Sequence, residues 1–161
     1  MARSKASNIF KSAGPADTAR LAGLFAGALA GGDAIFLEGP IGAGKTFFVR
    51  ELAAALGARQ LPVSASFNLM RAYKGRLKLY HFDLFRAGEA DMENIGLDEY
   101  LGRADGITAV EWPEAAGERT GAEIIKIEFA LAGGDKRVIK VFAGGTRAAA
   151  LAGIGKKWLK K

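Results

Sequence analysis

An apolar run, Ala34-Ile-Phe-Leu37, leads through Glu38 into Gly39-Pro-Ile-Gly-Ala-Gly-Lys45-Thr46, after which apolar residues recur at Phe48, Val49, Leu52 and Leu56. The run suits a buried strand, the later spacing is that of one helix face, and Gly57 stands where a helix C-cap would fall. A strand, a glycine-rich loop and a helix in direct succession are the setting in which Gly-x-x-x-x-Gly-Lys-Ser/Thr holds a polyphosphate. Gly39, Gly42 and Gly44 let the backbone come close to an anion, with N–H groups from Gly42, Ala43 and Gly44 onward and the next helix N-terminus aimed at it. Lys45 would reach the β- and γ-phosphates, and the Thr46 hydroxyl would ligate Mg²⁺. Pro40 offers no N–H, but the donors from Gly42 through Thr46 remain.

The rest of the chain extends this unit into a single α/β P-loop NTPase domain with a mixed sheet. Pro15 followed by Leu21, Leu24, Phe25 and Ala28 predicts a first helix, ended by Gly31-Gly32. Leu77 to Asp83 and Ile107 to Glu111 each predict a strand ending on a carboxylate, where an open α/β sheet presents its ligand edge. Asp83 and Glu111 are therefore candidates to complete a Mg²⁺ shell or to place an attacking water, and the sequence does not say which does which. Ile125, Ile127 and Phe129 alternate with Lys126 and Glu128, and Ile139 and Val141 flank Lys140 beyond Gly133-Gly134-Asp135, which predicts a late antiparallel hairpin. Parallel strands are expected at the nucleotide site and antiparallel ones in this hairpin.

Composition narrows the partners. With 161 residues, half of them apolar, the chain suits one hydrophobic core. The absence of cysteine excludes disulfides and thiolate metal sites, and a lone His81 argues against structural zinc. No run approaches the length of a membrane helix and no apolar stretch follows the basic start, so a cytoplasmic protein is expected. The net charge of +6 is unevenly placed: residues 1 to 16 and 147 to 161 carry +8 and no acids, leaving −2 on the stretch between. A nucleic-acid groove within the fold is not indicated. Residues 1–146 are read as the P-loop ATPase domain and 147–161 as a basic C-terminal extension, more often a solvated tail than a contact with RNA or an acidic partner. From Glu89 to Glu118 nine acids face one base, Arg103, the composition of a solvated face or of a docking surface steered by charge.

Motifs outside the loop give the chain a resemblance to the TsaE (YjeE) family of bacterial ATPases, over roughly residues 15 to 142. Val63-Ser64-Ala65-Ser66-Phe67 with Tyr73 is similar to that family's Ser-Pro-Thr-Phe switch and following tyrosine. His81-Phe-Asp83-Leu-Phe-Arg86 resembles its His-x-Asp-x-Tyr-Arg segment, while Gly96-Leu-Asp-Glu-Tyr-Leu101 and Val110-Glu-Trp-Pro-Glu114 resemble its later signatures. The resemblance implies an ATP- and Mg²⁺-dependent accessory of the TsaD and TsaB proteins in making threonylcarbamoyladenosine beside the tRNA anticodon, with tRNA met through the complex. It also implies roles: Lys45 and Thr46 on phosphate and metal, Ser66 near the metal, Asp83 and Glu111 completing the metal and water shell, and Trp112 beside the nucleotide. Ala65 in place of proline and Ser66 in place of threonine loosen the switch while keeping its hydroxyl. Phe85 stands where the family has tyrosine.

The GTPase signals Asn-Lys-x-Asp and Asp-x-x-Gly are absent, which favours adenine or weak base selectivity. No arginine stands out as a finger, so hydrolysis is expected to be slow alone and faster with partners. A small-molecule P-loop kinase is the alternative, and a nucleotide-gated binding protein without catalysis is a third.

Overall fold

The computed structural model describes residues 8–60, 69–119 and 123–160. The run after Gly32 forms β2 (Ala34–Glu38), whose side chains are buried on both faces, as a strand covered by helices on each side requires. It pairs in parallel with β5 (Gly106–Glu111) on one side and β6 (Ile124–Leu131) on the other. Beyond β5 lie β4 (Lys78–Asp83), parallel, and β3 (Met70–Tyr73), antiparallel. Beyond β6 lie β7 (Arg137–Phe142) and β1 (Asn8–Ser12), both antiparallel to their neighbours. The seven strands run in the order β1-β7-β6-β2-β5-β4-β3. The parallel strands are thus central, and the expected hairpin is β6 with β7.

Alternation along the strands sorts two cores. Ile35 and Leu37 of β2, with Ile107 and Ala109 of β5 and Leu79 of β4, pack with helices α1 (Pro15–Ala28) and α2 (Lys45–Ala55). Phe36, Val110, Tyr80 and Phe82 face the opposite layer, where the short helices α3 (Glu89–Asn94) and α4 (Leu97–Tyr100) lie. Phe48 centres the larger core, its ring edge-on to Phe25 at 5.5 Å and to Phe129 at 5.7 Å. Side chains of that size bury on the order of 2 to 3 kcal/mol of apolar surface, with edge-to-face packing adding to it. This pins the helix that carries Lys45 and Thr46 to the sheet.

The C-terminal stretch departs from a solvated tail. Residues Arg147–Leu159 form α5, which buries Leu151, Ile154 and Trp158. Trp158 meets Phe10 of β1 edge-on at 5.5 Å, and the Arg20 guanidinium lies 4.7 Å from the Trp158 ring centre. Arg20 also donates to the carbonyls of Lys157, Trp158 and Lys160 at 2.9, 3.1 and 3.2 Å, satisfying acceptors that a helix end leaves open. At the other end, Arg147 pairs with Asp33 at 2.8 Å and donates to the Ala28 carbonyl. Its lysines are exposed while its apolar stripe belongs to the core, a pattern that charge counting alone hides. Among the described residues, no helix is long and apolar enough to cross a membrane.

Candidate nucleotide-binding site

The loop from Gly39 leaves the end of β2 and enters α2 at Lys45. Gly39 has φ +143°, and a Cβ there would fall 2.5 Å from the Phe129 carbonyl oxygen. Its glycine is demanded by close packing on β6, a different reason from approach to phosphate. Gly44, at φ +101°, turns the chain in the left-handed region immediately before the helix, with open space around it. The first N–H groups of α2, which follow it, have no partner within the helix, the arrangement an anion can use.

Lys45 is buried at 5% exposure, its ammonium donating to the carbonyls of Gly39 and Pro40, the latter at 3.0 Å. The same ammonium lies 3.9 Å from the Trp112 ring centre. Burial pulls it below the ordinary lysine value, while Glu111, Glu114 and Asp83 pull it back up. Trp112 is held in the left-handed conformation, with φ 57° and ψ 52°, the one non-glycine residue of positive φ among those described. Its N–H bonds the Leu37 carbonyl at 3.3 Å, and its ring lies against Phe85, centres 4.9 Å apart and planes inclined by 44°. Phe85, which stands where the family has tyrosine, is thus a neighbour of Trp112 at the cavity.

The two strand-end carboxylates arrive together. Asp83 and Glu111 are register partners in the parallel pair β4–β5, and the twofold strand period places Glu111 on the face of Ile107 and Ala109, toward α2. Glu111 is 2% exposed and accepts from the Thr46 hydroxyl at 2.9 Å through Oε2. Its other oxygen lies 2.8 Å from His81 Nε2, also buried. Asp83 is half-buried and accepts the Phe85 N–H at 3.2 Å. Burial raises its carboxyl above the usual aspartate value, Glu111 adding to the rise, while the Phe85 N–H, His81 and Lys45 oppose it. A cavity of about 320 Å³ opens among Gly42, Ala43, Gly44, Lys45, Thr46, Asp83, Glu111 and Trp112.

Lys45, Thr46, Asp83, Glu111, Trp112, Gly42, Ala43 and Gly44 therefore line one cavity, while Gly39 stands behind the loop. Ser66, with the Val63 to Phe67 segment, lies outside the described residues. Two residues at the site were not assigned a role from their type or spacing. His81 sits two positions before Asp83 on the same strand, so the twofold period alone puts both on one face. Arg137 reaches the loop from β7, and nothing in its spacing signals this. Of the nine acids between Glu89 and Glu118, eight are exposed and Glu111 alone is buried.

The oxygen donors fit a hard cation. Thr46 donates its proton to Glu111 and keeps lone pairs free, and Asp83 and Glu111 stand at adjacent strand ends. Among the described residues no three His, Cys, Asp or Glu side chains form a metal cage of their own. Mg²⁺ keeps waters and phosphate oxygens and takes one or two protein ligands, a number that Thr46 with Asp83 or Glu111 could supply.

Comparison with known proteins decides the family. Residues 12–139 match the model for TsaE, the threonylcarbamoyl adenosine biosynthesis protein. The chain belongs to the TsaE family. A relative from Bacillus subtilis named tRNA threonylcarbamoyladenosine biosynthesis protein TsaE is 37% identical over 139 residues, spanning 86% of this chain and 87% of the relative. The protein of the same name from Treponema pallidum is 35% identical over 132 residues, spanning 81% and 90%. The crystal structure of Bacillus subtilis YdiB superposes with a TM-score of 0.78 at 31% identity, covering 98% of this chain and 99% of that one. The fold is that of the TsaE family's α/β P-loop domain, as its motifs implied.

Proposed function

We propose that this chain is a Mg²⁺-dependent ATPase that supports threonylcarbamoyladenosine modification of tRNA as an accessory to TsaD and TsaB. The observation that carries the reading is the junction of two half-sites: the Lys45–Thr46 loop end and the paired carboxylates of Asp83 and Glu111, bonded through the Thr46 hydroxyl. The relatives' names supply the tRNA pathway. Bound Mg²⁺ would neutralise charge between the phosphates. The chain's own residues do the rest. Backbone N–H groups of Gly42 and of Gly44 to Thr46 bind and orient the phosphates, Lys45 leaves its two carbonyls for them, and Thr46 and Asp83 offer oxygens to the cation. Glu111, fixed by His81 and Thr46, is the group placed to orient water, and Trp112 with Phe85 walls the cavity against bulk solvent. Cytoplasmic action follows from this role.

The test measures phosphate release from ATP alone, with TsaD and TsaB, and with tRNA, scoring modified tRNA in the same tubes. The proposal expects slow release alone, stimulation by the partners, and modification that depends on Glu111. Equal release with and without partners removes the accessory role. Phosphate appearing on a small-molecule acceptor, instead of free in solution, would establish the kinase.

A further inference from the structure

We propose that Arg137 is a positioning residue for the phosphate loop, a guanidinium clamp that locks two successive loop peptides and so keeps the Gly44 N–H turned toward the ligand; this rests on the nucleotide reading above. Arg137 opens β7, its backbone in register with Leu131 of β6 and Ser12 of β1, so its root is fixed from both sides. Its half-buried side chain donates only to backbone carbonyls. Nε meets Ala43 O at 3.1 Å and Nη2 meets Gly42 O at 3.0 Å, while Nη1 meets Gly134 O at 2.7 Å and Lys136 O at 2.8 Å. No carboxylate pairs with it among the described residues.

A trans peptide points its C=O and N–H in opposite directions. Holding the Ala43 carbonyl on the outer side of the loop therefore turns the Gly44 N–H to the cavity side, at a glycine of φ +101° whose missing Cβ leaves the backbone free to rotate. The Gly42 carbonyl is fixed the same way, and the Ala43 N–H joined to it closes a turn on Pro40 O at 3.1 Å. Glycines that let the loop adopt this shape would also let it leave, and the planar fork holds two successive peptides at once. The β6–β7 hairpin turn anchors the far side of the fork. With no carboxylate among the described residues to neutralise it, the charge also adds positive potential behind the proposed anion site.

The experiment compares the intact protein with Arg137→Met and Arg137→Lys, measuring Mg·ATP affinity by calorimetry and, without nucleotide, amide hydrogen exchange across the chain. Arg137→Met should weaken Mg·ATP about ten-fold or more, since charge-assisted hydrogen bonds to two loop peptides are lost. Exchange should speed up at the Ala43 N–H, the loop amide bonded within the turn, while β5 and α1 keep their protection. Arg137→Lys, a point charge without the fork, should recover only part of the affinity. Unchanged affinity with unchanged loop exchange overturns the clamp, and so does acceleration spread equally over β5 and α1, which marks a merely structural role. If the intact protein fails to bind Mg·ATP, the nucleotide reading falls, and loop exchange alone still judges the clamp.

Discussion

The Lys45 ammonium lies 3.9 Å from the centre of the Trp112 ring while bonded to loop carbonyls, so the indole senses the charge that a phosphate would draw away. Adding Mg·ATP should change Trp112 fluorescence. Trp158, the other tryptophan, is buried against Phe10 away from the loop, and Trp158→Phe should retain the signal. Lys45→Met should abolish it and weaken nucleotide at least about a hundred-fold, given the strength of charge-assisted phosphate contacts. A full signal in the Lys45 variant would show that the phosphates do not displace this ammonium.

Glu111→Gln keeps size and one acceptor but removes the charge that meets Thr46 and His81. Nucleotide affinity should stay within about three-fold, while phosphate release falls on the order of a hundred-fold, the split expected when a group acts on turnover more than on ground-state binding. Isothermal binding and single-turnover assays on one preparation check it. A variant that turns over normally would leave Glu111 a structural acid.

Asp83 carries a raised carboxyl, through burial first and Glu111 next. Between its unfolded and folded values the native state holds more protons, so stability falls as pH rises through that window and the full cost remains above it. Asp83→Asn should therefore melt higher than the unmodified protein at pH 7 without ligand, by no more than about 1 kcal/mol because solvent screens a half-buried group. The gain should vanish toward pH 4. With Mg·ATP present the order should reverse, since the cation favours the charged form. Melting curves at the two pH values, with and without nucleotide, decide it.

Trp158→Ala should cost about 3 to 5 kcal/mol, the range for deleting a large buried ring. Reversing exposed Lys156, Lys157 and Lys160 to glutamate should change stability by no more than about 0.5 kcal/mol each. Denaturant titration separates these outcomes. Because removing residues 147–161 would also remove core, charge reversal is the cleaner way to ask whether this face touches tRNA.

Much of this was legible before any coordinates. The loop announced itself because its chemistry demands fixed residue types at fixed spacing, and β2, α2 and the β6–β7 hairpin followed from local periodicity. Asp83 and Glu111 could be placed side by side because both end strands at the edge where an α/β sheet presents its loops. Strands β1 and β3 were missed for a physical reason. Each is an edge strand of four or five residues whose partner alone makes it a strand, and Asn8 to Ser12 reads locally as part of a basic end. Helix α5 was hidden by lysines that occupy one face while Leu151, Ile154 and Trp158 occupy the other. Arg137 could not be seen at all, since its function lies in backbone carbonyls, which no side-chain pattern encodes.

The placement of β1 bears on how the protein is made. The strand pairs with β7, and Asn8 donates to the Leu151 carbonyl of α5 at 3.0 Å across a separation of 143 residues. On the ribosome, then, the opening segment must wait unpaired until nearly everything else described here has been translated. Its zippering comes late in synthesis, and a chaperone or protease that meets the nascent chain before β7 has emerged finds this strand still open.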